Sequence, residues 1–247
     1  MSAPAAPTGS GATGPAPTGP TTAGPATAGP TTAQRRRGLT LQELVLVAAL
    51  GVVFGFLYWA LVQAWAWLQL AMGPLGDLAQ HVLIGGWMVV APLALYIVRK
   101  PGVGIVAELL AATIEVVFIG SPVGPMLLLV GFVQGAGAEL AFTATRYRRY
   151  GWGVFVASGV TAALASLALG TVRFGWLTQD WFAYRVGLEL VSGIVLSGIL
   201  AKVLGDALLR TGVLDNHAIG RAARAARRGD GGDPGAAPAP APQQAGA

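Results

Sequence analysis

Four glutamates interrupt long apolar runs: Glu108, Glu115, Glu139 and Glu189. A charged group at the centre of a bilayer costs at least about 2.5–3.5 kcal/mol on insertion scales. Such residues persist where a partner, a water-filled cavity or a ligand compensates them. Glu108 and Glu115 are seven apart and share one helix face, which should point inward. Around them stand groups able to recognise a flat ring. Trp59 and Trp87 offer stacking faces, and a cationic ring would gain more from them. Gln63 and Gln134 offer amide hydrogen bonds. Glu115, Gln134, Trp59, Trp87, Glu189 and Gln63 are therefore the candidate substrate-binding residues. His81 could also hydrogen-bond a heterocycle, but with the remaining aromatics Tyr58, Trp65, Trp67, Trp176, Trp181 and Tyr184 it reads first as part of an interfacial belt. Glu108 and Glu139 are expected to pair with loop arginines such as Arg99 or Arg146. Glu189 has Arg185 four residues earlier as a local partner.

The elements that must hold these residues are set by composition. The chain has 247 residues, of which 54% are hydrophobic and only 11% charged; its mean hydropathy is +0.61. Soluble domains carry about 25% charged residues. Six apolar segments can be drawn, at about 41–61, 80–98, 103–119, 124–143, 152–172 and 182–204. Breakers separate them at Gly73-Pro74, Pro101-Gly102, Gly120-Ser121-Pro122 and Gly151. Lipid admits no open sheet, so each is a helix. The expected fold is an all-α membrane bundle of six transmembrane helices.

Charge placement gives the orientation. Of 16 basic residues, 14 precede the first segment, lie between segments two and three or four and five, or end and follow the sixth. Arg173 and Arg185 alone fall on the other side. The positive-inside rule then puts both termini in the cytoplasm, with Glu115 and Glu189 in the outer part of the membrane. Residues 1–38 are a Pro/Gly/Ala/Thr-rich tail and 217–247 a basic, then Ala/Pro-rich tail, both expected to be disordered. The membrane domain is 39–216. The basic balance does not indicate nucleic acid, because no basic face with stacking aromatics can be drawn. There is no cysteine, which excludes disulfides, thiolate metal sites and thiol nucleophiles. Two histidines on opposite membrane sides argue against a His-based metal cluster or a Ser-His dyad. Neither metal nor cofactor is expected, and the chain does not read as an enzyme.

The stretch Arg99-Lys100-Pro101-Gly102, Ala107-Glu108-Leu109, Glu115, Gly120-Ser121 and Gly131-Phe132-Val133-Gln134-Gly135-Ala136-Gly137-Ala138-Glu139-Leu140 resembles the YkoE-type substrate-binding subunits (S components) of energy-coupling-factor (ECF) transporters. The resemblance runs from about Leu39 to Asn216. It implies a six-helix, S-component-like protein of the bacterial plasma membrane. Such a subunit captures thiamine or its hydroxymethylpyrimidine precursor from outside. It works with a transmembrane T component and two ABC-type ATPases. The absence of a Gly-x-x-x-x-Gly-Lys-Ser/Thr run from this chain fits a subunit without its own nucleotide site. Small residues on the first helix of such subunits meet the T component. Ala48, Gly51 and Gly55 are the candidates here, and the alternative for the Gly51-x-x-x-Gly55 pair is packing within the bundle. Two other functions compete. A stand-alone ion-coupled secondary transporter of a small heterocycle or cation could use the glutamates as a relay, although no inverted repeat with broken midplane helices is visible. A membrane enzyme would need acid–base chemistry from two carboxylates.

Overall fold

The computed structural model describes the backbone of residues 38–230 and the side chains of 38–227. Arg35, Arg36 and Arg37, together with the low-complexity tails beyond these limits, lie outside the described residues. From Leu39 onward the described chain belongs to one compact unit.

Helix α1 (Leu41–Met72) opens on a capping box, in which Thr40 and Glu43 satisfy each other's backbone N–H groups. A 3₁₀ turn over Gly73–Leu78 reverses the chain. The second pass is built from α2 (Ala79–Leu83), a 3₁₀ segment (Ile84–Met88) and α3 (Val90–Val98). The third is α4 (Val103–Ile114) continued by a π-helical turn over Glu115–Ile119. Helices α5 (Met126–Ala144) and α6 (Trp152–Phe174) are the fourth and fifth passes. The sixth joins α7 (Phe182–Ser192), a π-helical stretch (Gly193–Ile199) and α8 (Leu200–Arg210). Among the described residues, four runs are long and apolar enough to cross a membrane: Leu41–Val98, Met126–Ala144, Trp152–Phe174 and Phe182–Arg210. The first of these holds two passes, divided at Gly73. The segment 103–119 is at the short end of the spanning range.

Residue pairing fixes the directions. Leu61 meets Gly86 and Glu43 meets Lys100, so the first two passes are antiparallel. Gly131 lies on Ala112 and Gly135 on Ile105; Ser158 bonds to Ala138; Gly159 lies on Gly193 and Gly198 on Phe155. Each consecutive pair therefore reverses. By contrast His81 meets Glu189, Gly85 meets Ser192, Met88 meets Ser197 and Tyr96 meets Asp206. That near-constant offset means that the second and sixth passes run parallel. Gly51 on Leu110 and Gly55 on Ile114 make the first and third parallel as well. The bundle alternates, as six passes require.

The second pass is central: every residue from Ile84 to Val98 is buried. Serines stitch it to its neighbours. Ser192 Oγ donates to the Val82 carbonyl (2.7 Å) and accepts from the Gly85 N–H (3.0 Å). Ser197 donates to the Met88 carbonyl at 3.0 Å. Such interhelical bonds are worth about 0.6 kcal/mol each in membranes. Large apolar side chains instead face outward on α1, including Val52, Val53 and Phe56, as expected of a lipid-facing surface.

Three expectations change. Gly51 and Gly55 face α4, where an added Cβ would come within 2.7 Å of Leu110 or Ile114. Their smallness serves close packing within the bundle, and only Ala48 of the three docking candidates is exposed. Residues Ala218–Asp230 form a helix, α9, inside the segment expected to be disordered. Leu214 and Ile219, each 1% exposed, anchor its start in the core, and that apolar pair is the cue that the Arg-rich composition masks. The intramembrane glutamates also avoid the loop arginines. Glu139 accepts from the N–H groups of Gly102 and Ile105 and from the Tyr147 hydroxyl (2.7 Å). It thereby caps α4, whose N-cap residue is a glycine without a side chain to do so. Glu108 stands beside the Tyr58 hydroxyl and the Ala91 N–H. Arg99 lies 4.4 Å from the centre of the Tyr150 ring.

Candidate functional site: an aromatic cavity with two carboxylates

A cavity of about 240 Å³ lies at the end of the bundle away from Leu41 and Arg210. All six passes contribute to it. Val62 and Trp65 come from α1; His81, Ile84 and Trp87 from the second pass; Glu115 from the third. Leu127, Val130 and Gln134 come from α5, Ser166 to Phe174 from α6 and Glu189 from α7.

Glu115 is 1% exposed. It begins the π-helical turn that ends at Gly120, where φ is +75°. Ser121 fastens it twice: the Ser121 N–H donates to the Glu115 carbonyl at 3.1 Å, and its hydroxyl donates to Oε1 at 2.9 Å. Oε2 is buried and has no hydrogen-bond partner. A buried carboxylate oxygen left unpaired is costly, and a ligand donor reaching it would remove that cost. Trp65 Nε1 is a second buried group without a partner, so two of the lining residues carry an unpaired group, one an acceptor and one a donor.

Glu189 faces the cavity from α7 and is also 1% exposed. Its Oε2 lies 2.8 Å from His81 Nδ1, and His81 Nε2 lies 3.0 Å from Arg185 Nη1. Arg185 is thus joined to Glu189 through the imidazole, not directly along the helix. Trp87 is anchored by donation from its Nε1 to the Tyr58 carbonyl at 3.2 Å. Gln134 donates to Ser166 at 3.4 Å. Trp176 closes one side: its ring meets His81 edge-on, with centroids 4.7 Å apart, and stacks on Phe174. It lies against Gly170, where a methyl group would overlap the indole.

Four of the six candidate binding residues, Glu115, Gln134, Trp87 and Glu189, come together here. Trp59 and Gln63 do not. Trp59 packs on the exposed Phe56 with ring centroids 5.8 Å apart, and Gln63 is exposed. On α1 the cavity is lined by Val62 and Trp65, with Tyr58 buried one turn earlier on the same inward face; Trp59 and Gln63 each follow a residue of that face and point about 100° away. The sequence reading missed His81, Trp65 and Trp176 by assigning them to the interfacial belt. A period of three to four running through Val62 and Trp65 was the available signal. For His81 and Trp176 no local signal exists, because their burial depends on passes far away in sequence.

Comparison with known proteins gives three concordant results. Residues 42–165 match the family described as "ABC-type cobalt transport system, permease component". The "Putative HMP/thiamine permease protein YkoE" of Bacillus subtilis (strain 168) is 32% identical over 189 residues, covering 76% of this chain and 93% of that protein. A solved structure titled "Crystal structure of an S-component of ECF transporter" superposes with a TM-score of 0.71 at 31% identity, covering 78% of this chain and 97% of that one. The chain belongs to the YkoE-type S components of ECF transporters. It is a multi-pass membrane protein and the substrate-binding subunit of an ECF importer, not an enzyme. Membership implies work alongside a T component and ATPase subunits. Among the described residues no group of three or more His, Cys, Asp or Glu side chains is placed to hold a metal ion.

Proposed function

We propose that this S component captures thiamine or its hydroxymethylpyrimidine moiety in the aromatic cavity, with Glu115 as the principal recognition residue. The observation that carries the reading is the unpartnered, buried Oε2 of Glu115 among aromatic walls. An aminopyrimidine supplies an amino N–H for that oxygen and a flat face for Trp87 and Trp176. A thiazolium adds a positive charge that aromatic faces and carboxylates favour. Glu189, Gln134 and the Trp65 N–H add polar groups, and Gln80, His81, Ser166 and Arg173 also line the cavity. The name of the Bacillus subtilis relative, an HMP/thiamine permease, supports the same ligand class.

The cavity opens to the outside on this reading. The described basic residues Arg99, Lys100, Arg146, Arg148, Arg149 and Arg210 belong to the opposite end, and the positive-inside rule assigns that end, with the N-terminus, to the cytoplasm. The membrane is the bacterial plasma membrane. The exposed face of α1 that carries Ala48 is the docking surface we assign to the T component.

Isothermal titration of the purified protein with thiamine and with hydroxymethylpyrimidine, without ATP, tests the ligand assignment. Binding of one or both is expected. Heat from neither, in a folded sample, would overturn it.

A further inference from the structure

Arg185 is 2% exposed and does not line the cavity, yet it gathers much of what surrounds the cavity's mouth. Its Nη1 meets His81 Nε2 at 3.0 Å. Its Nη2 donates to Gln179 Oε1 at 2.8 Å and to Asp77. Its guanidinium carbon lies 5.3 Å from the centre of the Trp176 ring. Arginine has only donors, so the imidazole nitrogen facing it must be the acceptor. The proton of a neutral imidazole then sits on Nδ1, directed at Glu189 Oε2, 2.8 Å away.

We infer that Arg185 and His81 are positioning residues for Glu189: Arg185 locks His81 in the Nδ1–H tautomer, and the ring's single N–H holds the Glu189 carboxylate in place beside the ligand. The inference deepens the proposed function and rests on it for Glu189's role toward ligand. The relay has three consequences. One Glu189 oxygen is engaged by a donor, so a ligand meets a carboxylate with a defined direction. Asp77 offsets the guanidinium charge at the outer surface, where its side chain is 71% exposed. Trp176 touches both cationic and imidazole members, so the aromatic wall and the carboxylate are set by one arginine. Metal-site histidines are oriented by the same logic, in which the bond at one ring nitrogen fixes the proton at the other.

Two measurements test this. The chain has two histidines, so His217→Gln leaves His81 as the only imidazole in ¹⁵N-histidine-labelled protein. Ring ¹⁵N shifts in the ligand-free protein should show a protonated Nδ1 and a bare Nε2. Arg185→Gln should release the ring into a mixture of tautomers, and Arg185→Lys, which keeps a donor, should hold it. An Nε2–H ring or an imidazolium in the parent protein would overturn the inference. The second measurement is a double-mutant cycle read by thiamine titration. Arg185→Gln should weaken binding about tenfold in the parent protein, and by less than about twofold when Glu189→Gln is already present. Equal losses in both backgrounds would overturn the relay, since Arg185 would then act without Glu189. Should the parent protein bind neither thiamine nor hydroxymethylpyrimidine, the ligand assignment fails alone, and the ring shifts, which need no ligand, still decide the tautomer lock.

Discussion

The two ends of this bundle use the same residue type for opposite purposes. At the end that carries Leu41 and Arg210, acidic side chains are satisfied by the protein itself. Glu43 pairs with Lys100 at 2.6 Å and closes the cap of α1. Glu139 caps α4. Asp206 accepts from Lys202 and from Tyr96 (2.7 Å). At the cavity end, Glu115 keeps an oxygen without a partner and Glu189 is held through an intermediary. Both regions are buried, so burial does not separate structure from binding; what marks the cavity end is an unpaired carboxylate oxygen on a residue that lines a cavity. The Tyr150 hydroxyl at the packed end and Glu108 Oε2 between the ends also lack partners, but neither residue lines the cavity.

Glu115→Ala should break the comparison most visibly. It removes the unpaired acceptor and should cost thiamine roughly 30- to 100-fold in affinity, the scale of a hydrogen bond to a charged group, measured by titration calorimetry; unchanged affinity would remove Glu115 from the site. Gly170→Ala comes next. A methyl there must displace Trp176 from the wall, and overpacking of this kind costs about 1–3 kcal/mol, so both melting temperature and ligand affinity should fall. Melting with no loss of binding would show that Trp176 is dispensable to the cavity. Glu139→Ala strips the cap from α4 and should lower stability by about 1 kcal/mol in a thermal-shift assay. The folded fraction should keep its affinity, because the loss lies at the packed end. The smallest effects are expected from Trp59→Phe and Gln63→Ala, which should leave thiamine binding within about twofold. A tenfold loss from either would mean that α1 turns a different face to the ligand.

Hydropathy and the helix breakers made most of the architecture legible. Segment boundaries at 80–98, 103–119 and 152–172 fall within two residues of the helical passes, because Gly, Pro and polar clusters mark where chain leaves lipid. The seven-residue spacing of Glu108 and Glu115 correctly turned both inward. What could not be read was which buried polar group meets which. The expected pairing of Glu139 with a loop arginine fails for a local reason: backbone N–H groups at the start of α4 are nearer and cannot leave. Glu108 stands instead beside the Tyr58 hydroxyl and the Ala91 N–H, which come from the first two passes. Trp59 and Gln63 were drawn in by residue type, whereas the helix period excludes them. The partnership of His81 with Glu189 spans 108 positions and depends on the parallel contact of the second and sixth passes, which only the assembled bundle supplies. Likewise α9 was hidden by a composition that signals disorder until Leu214 and Ile219 are seen to seat it.

The central second pass has a consequence for traffic. From Met88 to Val98 it is enclosed on every side, and among the described residues the cavity stops above that level, at Trp87, Glu115, Gln134 and Glu189. A ligand in the cavity therefore stands before a solid floor of close-packed side chains. The molecule in this conformation is a cup and not a conduit: what enters by the mouth has no exit through the base. Delivery to the far side demands either that the floor come apart or that the whole cup be turned, and both call for work from outside the subunit.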